Sequence, residues 1–393
     1  MTRRLKIGIF MDSFYPTIDG VVLVIDNLAK ELSKYNDVVM VVPYNSSYKE
    51  DKNRPYKVKR IRSMKLPTTE YRVGLRKSNT SKAFKELVNE HFDIIHIHSP
   101  FTIGNLGIRI ARKCHIPVIG TFHTRYDFEL NKRLKNELIT NIVIKEIAKT
   151  FNKCDKCIAI NSKMIKVFED YGYKGSPTII YNGTDLKPLK NKEDAINKVN
   201  KMFNLKKDDT LLLFVGRITS VKNIFFILDS LKLLNEDNYN FKMLFVGEGA
   251  DYSKLCKRIK EYNLEDKVIA TGPINDRDTL SAIYTRADLF LFPSLFDASS
   301  LVQIEAAVNE TPGLFIEGAV TADTVENDIS GYTCELDTTI YKNKIKDILE
   351  NNKKHKEISI NARKMLGKSW DVIAKETYNL YLEEIDKKNK DLK

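Results

Sequence analysis

Residues 291–313, LFPSLFDASSLVQIEAAVNETPG, run from an apolar strand-like segment through Asp297 into a helix that opens on Ser299 and Ser300 and carries Glu305. The helix ends before Thr-Pro-Gly, and a second apolar run, GLFIEG (313–318), follows. Two apolar runs joined through a helix require parallel strands, because a tight hairpin cannot connect them. The helix N-terminus is where unpaired backbone N–H groups attract an anion. Two carboxylates placed eight residues apart around it therefore raise a chemical question as well as a structural one.

The same alternation extends in both directions. KIGIF (6–10), VVMVVPY (38–44), DIIHIHSP (93–100), IPVIGTFHT (116–124), KCIAI (156–160) and PTIIYNG (177–183) form a first series, with helical patterns between them. A second series comprises LLLFVGRI (211–218), FKMLFVGEG (241–249), KVIATGP (267–273), LFLFPS (289–294) and GLFIEG. Continuous apolar strands separated by helices imply α/β structure with parallel sheets covered on both faces. Two series imply two doubly wound, Rossmann-like domains, residues 1–185 and 210–365, joined through the lysine-rich region 186–209. Ligands of such sheets bind beyond the carboxyl ends of the strands, so the crevice between the two domains is the expected active site.

Composition narrows the class. The 393 residues are 42% hydrophobic and 30% charged, with a formal net charge of +12. That balance fits a globular enzyme with anionic partners: a nucleotide sugar, an anionic membrane surface or nucleic acid. No basic stripe interleaved with aromatics and no nucleic-acid motif is present, which ranks nucleic acid last of the three, and none is expected as a partner. The opening MTRRLKIGIFMDSFYP lacks the apolar core of an export signal, and no stretch is long enough to span a bilayer. The expectation is a cytoplasmic chain, with peripheral attachment to the inner membrane face left open. Five cysteines include one C-x-x-C, Cys154 and Cys157, without the second pair a zinc ribbon needs, so they read as structural thiols.

Ser300-Leu301-Val302-Gln303 reads as a capping box, with Ser300 at the N-cap and Gln303 reaching back. Glu305, one turn further in, is placed to accept from sugar hydroxyls beside a bound phosphate, a ribose diol for example. Asp297 is placed to reach hydroxyls on the far side of a diphosphate. The plainer alternative makes Asp297 a turn residue and Glu305 a solvated helix charge. In VGRITSVKN, Gly216 permits a close turn after a strand, while Arg217 and Lys222 supply cations for a leaving diphosphate. In DSFYPTIDGVV, Gly20 lies between a strand and a helix and admits a phosphate at that helix N-terminus, a weak signal from a single glycine. His123 ends the apolar strand of TFHTRYD and reads as functional or as a core histidine. His96 and His98 share one strand face, and without a third ligand they read as packing or substrate contacts rather than a metal site. No D-x-D pair follows an apolar strand, so neither metal nor other cofactor is expected.

This ordered set resembles the GT-B glycosyltransferases of the large retaining group that includes diacylglycerol glucosyltransferases, phosphatidylinositol mannosyltransferases and sucrose synthases. The resemblance runs along nearly the whole chain through DSFYPTIDGV, DIIHIHSP, TFHTRYD, YNGTDL, VGRITSVKN, VGEG, SLFDASSLVQIEAA and DISGY. It implies that Glu305 is the second glutamate of the group's E-x7-E signature and contacts ribose. Arg217 and Lys222 would be its diphosphate-binding pair, His123 a contact near the donor sugar, and Gly20 the phosphate loop of the first domain. It further implies that Leu301 and Val302 offer backbone N–H groups to phosphate and that Gly272 lies near the base. A final helix, 366–393, would cross back onto the first domain. Three departures stand out: Asp297 replaces the first glutamate, Ser300 stands where glycine is common, and Glu310 where glycine usually precedes Thr-Pro. The implied reaction is metal-independent retaining transfer of a hexose from a nucleoside-diphosphate sugar, UDP-glucose-like, to a lipid or cell-surface glycan. Front-face displacement, with the leaving diphosphate helping to remove the acceptor proton, is likewise the resemblance's implication.

Two other classes compete. A sugar-nucleotide epimerase on the same fold would turn over donor without acceptor, and the Asp297 departure suits a non-catalytic partner subunit. In the stretch 128–151, Leu130, Leu134, Leu138 and Ile142 recur at helical spacing, with Lys132, Arg133 and Lys135 off that line. The simpler expectation packs this stripe on the first sheet. The alternative lays it on anionic lipid.

Overall fold

The computed structural model describes residues 3–46, 48–65, 72–75, 81–295, 297 and 300–391, without the side chains of Val73, Lys132 and Arg133. The chain divides into two units: Met1–Asn182 with Trp370–Lys393, and Gly183–Ser369.

The first unit contains β1 (Lys6–Phe10), β2 (Asp37–Pro43), β3 (Lys57–Ile61), β4 (Ser63–Lys65), β5 (Arg72–Gly74), β6 (Ile94–Ile97), β7 (Val118–Phe122), β8 (Lys156–Ala159) and β9 (Thr178–Ile179). Seven of these form one sheet, in the order β3-β2-β1-β6-β7-β8-β9, with every neighbouring pair parallel. The β4–β5 pair is a separate antiparallel ribbon. Strand order reverses between β1 and β6, which makes their carboxyl ends the switch point of this sheet. Ile7, Ile9 and Phe10 of β1 and Ile94, Ile95 and Ile97 of β6 are fully buried, as strands covered on both faces must be.

The second unit contains β10 (Leu211–Val215), β11 (Lys242–Val246), β12 (Val268–Gly272), β13 (Leu289–Leu291), β14 (Gly313–Ile316) and β15 (Tyr332–Cys334). All are parallel, in the order β12-β11-β10-β13-β14-β15, and the switch point lies between β10 and β13. The 291–313 stretch is thus a β–α–β unit, with Phe290 of β13 paired to Gly313 of β14 and the helix Leu301–Val308 between them. Phe290 and Phe292 stack at 5.3 Å and Phe214 and Phe292 at 5.9 Å, packing the centre of this core. Both units are therefore the doubly wound α/β structure expected.

Three local expectations differ from the structure. Region 186–209 holds a helix, Lys192–Met202, and belongs to the second unit. Its lysines face solvent while Val199 is buried, and Asn191 caps it by accepting from Asp194 N. The last helix begins at Trp370, where the chain returns to the first unit; Trp370, Ile373, Tyr378, Tyr381 and Ile385 are buried.

Finally, 128–151 is not one helix. Tyr126–Leu134 ends at Lys135, which is left-handed (φ 49°), and Glu137–Phe151 starts afresh with Asn136 accepting from Ile139 N. The break rotates the second segment. Thr140, Ile144, Ile147, Ala148 and Phe151 pack inward, whereas Leu134, Leu138 and Ile142 are exposed. Of the stripe expected on the sheet, Leu130 is half-buried while Leu134, Leu138 and Ile142 face solvent instead, and the side chains of Lys132 and Arg133 lie outside the described residues.

Candidate active site

Beyond the carboxyl ends of β10, β11 and β12 the loops are joined by backbone bonds. Gly247 N donates to Gly272 O at 2.9 Å, Ile218 N to Glu248 O at 2.9 Å, and Asp251 N to Ile218 O at 3.0 Å. Ser220 N donates to the Asp251 carboxylate at 2.6 Å. Gly216 and Gly247 sit at φ 149° and 138°, and a Cβ on Gly247 would lie 2.0 Å from the Gly216 carbonyl oxygen. Only glycine permits that approach. Gly272 (φ 75°) has no atom within 4 Å of where a side chain would begin, so the end of β12 is open.

On this frame Arg217 is exposed, and among the described residues its guanidinium has no hydrogen bond or ion pair. Lys222 closes a 3-10 turn, Ser220–Lys222, and the next residue, Asn223, donates from Nδ2 to Pro293 O at 2.8 Å. That bond ties the cationic loop to the segment leading to Asp297. Lys222 Nζ pairs with Asp297 Oδ1 and lies 5.7 Å from the centre of the Phe292 ring. Asp297 Oδ2 is buried and, among the described residues, has no hydrogen-bond partner. One carboxylate oxygen is neutralised and the other is left able to accept.

Ser300 occupies the N-cap position of Leu301–Val308 with extended backbone angles, but its side chain makes no capping bond. Gln303 does not reach back either, because its Nε2 donates to Thr324 Oγ1 at 3.1 Å. The expected capping box is therefore absent: Thr324, brought close by tertiary packing, competes for the glutamine. The first-turn N–H groups of Leu301 and Val302 keep no side-chain cap among the described residues, and Ser299 lies outside them.

Glu305 is not a solvated helix charge. It is 6% exposed, its Oε1 pairs with Arg277 Nη2 at 2.8 Å, and its Oε2 accepts from Tyr284 OH at 3.1 Å. Arg277 also pairs with Asp185 of the YNGTDL segment. Burial works against charge on Arg277, but Glu305 and Asp185 outweigh it and hold the guanidinium protonated. Burial, and then Glu305, push the Tyr284 hydroxyl well above its ordinary range, so it stays a donor. Neither Arg277 nor Tyr284 stood out in the sequence. Arg277 opens the helix Arg277–Arg286 behind its cap, Asp276, and no spacing links it to a glutamate 28 positions on.

In the first unit, Gly20 opens the helix Gly20–Ser33, is exposed and has nothing within 4 Å of an added Cβ. The cap is Asp19, whose carboxylate accepts from Val22 N at 2.9 Å, so this helix start carries its own negative charge. Asp12, another residue the sequence did not single out, serves the helix Thr102–Cys114 from across the fold. Its carboxylate accepts from Thr102 Oγ1 (2.9 Å), Ile103 N (2.8 Å), Gly104 N (3.2 Å) and Ser99 Oγ (2.7 Å).

His123 follows β7 directly and is 7% exposed. Its Nε2 lies 2.8 Å from His98 Nδ1, and the His98 ring lies 3.9 Å, centre to centre, from that of His96. His96 in turn meets Tyr381 OH at 2.7 Å and Thr121 Oγ1 at 2.6 Å. Burial drives His96 and His123 down to about 3 and His98 well below its usual value, so all three are neutral at physiological pH.

Comparison with known proteins agrees with this fold. Residues 196–365 match the family model of glycosyl transferases group 1, and residues 18–188 match that of glycosyltransferase family 4. The chain is similar to the alpha-monoglucosyldiacylglycerol synthase of Acholeplasma laidlawii, 27% identical over 407 residues and 99% of both chains. It is equally similar, 27% over 315 residues, to the protein of the same name from Streptococcus pneumoniae, covering 78% of this chain and 70% of that one. Among solved structures, Anabaena HepE in complex with UDP superposes with a TM-score of 0.77 at 17% identity, over 96% of this chain and 100% of the other. Sucrose-phosphate synthase from Thermosynechococcus elongatus gives 0.72 at 20% identity, over 97% and 99%. At such identities these structures speak for the fold alone.

Proposed function

This chain belongs to the GT-B glycosyltransferases, and from that membership we propose that it moves a hexose from a nucleoside-diphosphate sugar, of the UDP-glucose kind, to a lipid or glycan hydroxyl. The observation that carries this reading is the Lys222–Asp297 pair, set in one unit with Arg217 and the start of Leu301–Val308, which among the described residues have no ion-pair partner and no side-chain cap respectively. Two cations, Lys222 held by its carboxylate partner and Arg217 exposed beside it, and two amide donors suit a diphosphate, and they gain most when negative charge develops on it as the glycosidic bond breaks. Metal independence is part of the proposal, since these cations would supply the positive charge that a divalent ion supplies elsewhere. The Asp297 Oδ2 atom accepts from a sugar hydroxyl, and Glu305, held in place by Arg277 and Tyr284, accepts from ribose.

The proposed step is retaining. The acceptor oxygen forms a bond to the anomeric carbon while the bond from that carbon to the phosphate oxygen breaks. Its electron pair leaves with the diphosphate, which also receives the acceptor's proton. The A. laidlawii and S. pneumoniae relatives are named for a glucosyldiacylglycerol product, which favours a lipid acceptor here.

An exposed row on the helix Glu137–Phe151 supports work at an anionic membrane surface. Leu138 is 77% and Ile142 64% exposed, and Lys145 and Lys149 continue the same face. No helix among the described residues is long and apolar enough to cross a membrane.

The direct test supplies UDP-glucose or GDP-mannose with anionic vesicles containing diacylglycerol, and measures nucleotide release and glycolipid with and without EDTA. Acceptor-dependent release of one nucleotide, undiminished by EDTA, is expected. Release without acceptor would replace transfer with hydrolysis of the donor, and a donor sugar converted with no net release would replace it with epimerisation. No release with any lipid or glycan extract would leave a non-catalytic subunit.

A further inference from the structure

The three buried histidines of the first unit carry a constraint on which ring nitrogen of His123 bears hydrogen. A neutral imidazole has one N–H and one bare nitrogen, and a hydrogen bond between two such rings needs a single hydrogen between them. His98 Nδ1 and His123 Nε2 are 2.8 Å apart, so one of these nitrogens donates. The other nitrogen of His98 decides which. His98 Nε2 is buried and, among the described residues, has no hydrogen-bond partner. If His123 Nε2 donated, the single hydrogen of His98 would sit on that Nε2 as an orphaned buried N–H. Orphaned buried donors are rarer in folded proteins than under-satisfied acceptors. If His98 Nδ1 donates instead, its Nε2 is only a bare lone pair.

We infer that His98 is a positioning residue that fixes His123 in the Nδ1–H tautomer, so that His123 offers a hydrogen-bond donor to a substrate oxygen and does not act as a base. Among the described residues no other group bonds His123 Nδ1, and the ring is the most exposed of the three. His98 is itself held by the His96 ring stacked beside it, and His96 is pinned at both nitrogens by Tyr381 and Thr121. The tail helix Trp370–Asp391 thereby supports the orientation of His123 through Tyr381. The tautomer assignment stands on geometry alone. Its catalytic use rests on the glycosyltransferase reading, in which the outward N–H of His123 steadies a hydroxyl oxygen of the donor sugar.

The experiment is nitrogen-15 NMR of the full chain labelled at histidine, with His123 assigned by comparison with His123→Gln. The expected resting spectrum shows hydrogen on His123 Nδ1 and a bare Nε2. Hydrogen on Nε2 would overturn the assignment. In His98→Leu the His123 signals should move to a tautomer mixture, while His98→Asn, which keeps an N–H near the former Nδ1, should retain the wild-type pattern. Turnover should follow: kcat about tenfold lower in His98→Leu, the scale of one oriented hydrogen bond, with KM for the donor little changed and most of the loss restored in His98→Asn. Equal turnover in His98→Leu and wild type would overturn the positioning role even with the tautomer confirmed. A wild-type chain that turned over no donor would overturn the functional reading and the positioning role with it, and the resting spectrum would still decide the tautomer.

Discussion

Lys222 Nζ rests on Asp297 Oδ1 across 75 positions of sequence, and both side chains are largely withdrawn from solvent, 13% and 24% exposed. The lysine is thus held in one place before any anion arrives, and the carboxylate that holds it keeps its second oxygen unpaired among the described residues. A diphosphate entering here would meet a cation already oriented, so the ordering cost of a long lysine side chain falls on folding rather than on binding.

Removing that cation should therefore damage chemistry far more than stability. Lys222→Ala is expected to lower kcat/KM by about 100-fold or more, the scale of a lost transition-state donor worth about 3 kcal/mol. Because the pair is only partly buried, the accompanying loss of stability should stay near 1 kcal/mol. Nucleotide-release kinetics beside a thermal melt separate the two, and near-normal turnover would remove the lysine from the site.

Arg277 and Glu305 should couple measurably. The carboxylate is 9% exposed at its side chain but the guanidinium 42%, so solvent screening discounts the pair. A double-mutant cycle with Arg277→Ala and Glu305→Gln is expected to give an interaction of about 1–2 kcal/mol in urea unfolding. Additive losses would mean that Arg277 does not hold the carboxylate.

Leu138→Ser with Ile142→Ser replaces side chains that are mostly exposed to solvent. Stability should change by no more than about 0.5 kcal/mol for each. Flotation with anionic vesicles at low salt should fall sharply relative to wild type. Unchanged flotation would free this helix face from any membrane role.

The histidine cluster sets a pH dependence with a definite sign. His96 and His123, lowered to about 3 in the fold from 6.5, bind fewer protons folded than unfolded between those values. Their stabilising contribution is present above pH 6.5 and is lost as the pH falls below it. Each ring kept neutral should cost about 2 kcal/mol of stability between roughly pH 7.5 and pH 5, a range in which most carboxylates remain ionised. Urea melts across that range should show the slope, and it should be shallower in His96→Gln. A flat profile would mean that water reaches the rings.

Much of the architecture was written locally. The apolar runs LLLFV and, His96 apart, IIHI call for strands covered on both faces, and turn residues such as Gly216 mark where those strands stop. From that periodicity came the two parallel sheets and the placing of Arg217, Lys222, Asp297 and His123 at strand ends. What periodicity cannot encode is which distant groups meet. The salt bridges of Lys222 to Asp297 and of Arg277 to Glu305, the transfer of Gln303 to Thr324, and the carboxylate of Asp12 on another element's helix start all join residues whose spacing carries no signal. The stripe of Leu138 and Ile142 shows the same limit, since one left-handed residue at Lys135 turned the helix and exchanged its faces. Local sequence determined which segments are buried as strands and helices, because burial follows from each segment's own apolar pattern. Only the folded chain decided which charges and rings are partnered, because Coulomb and hydrogen-bond energies depend on separation in space, which the packing of whole elements sets.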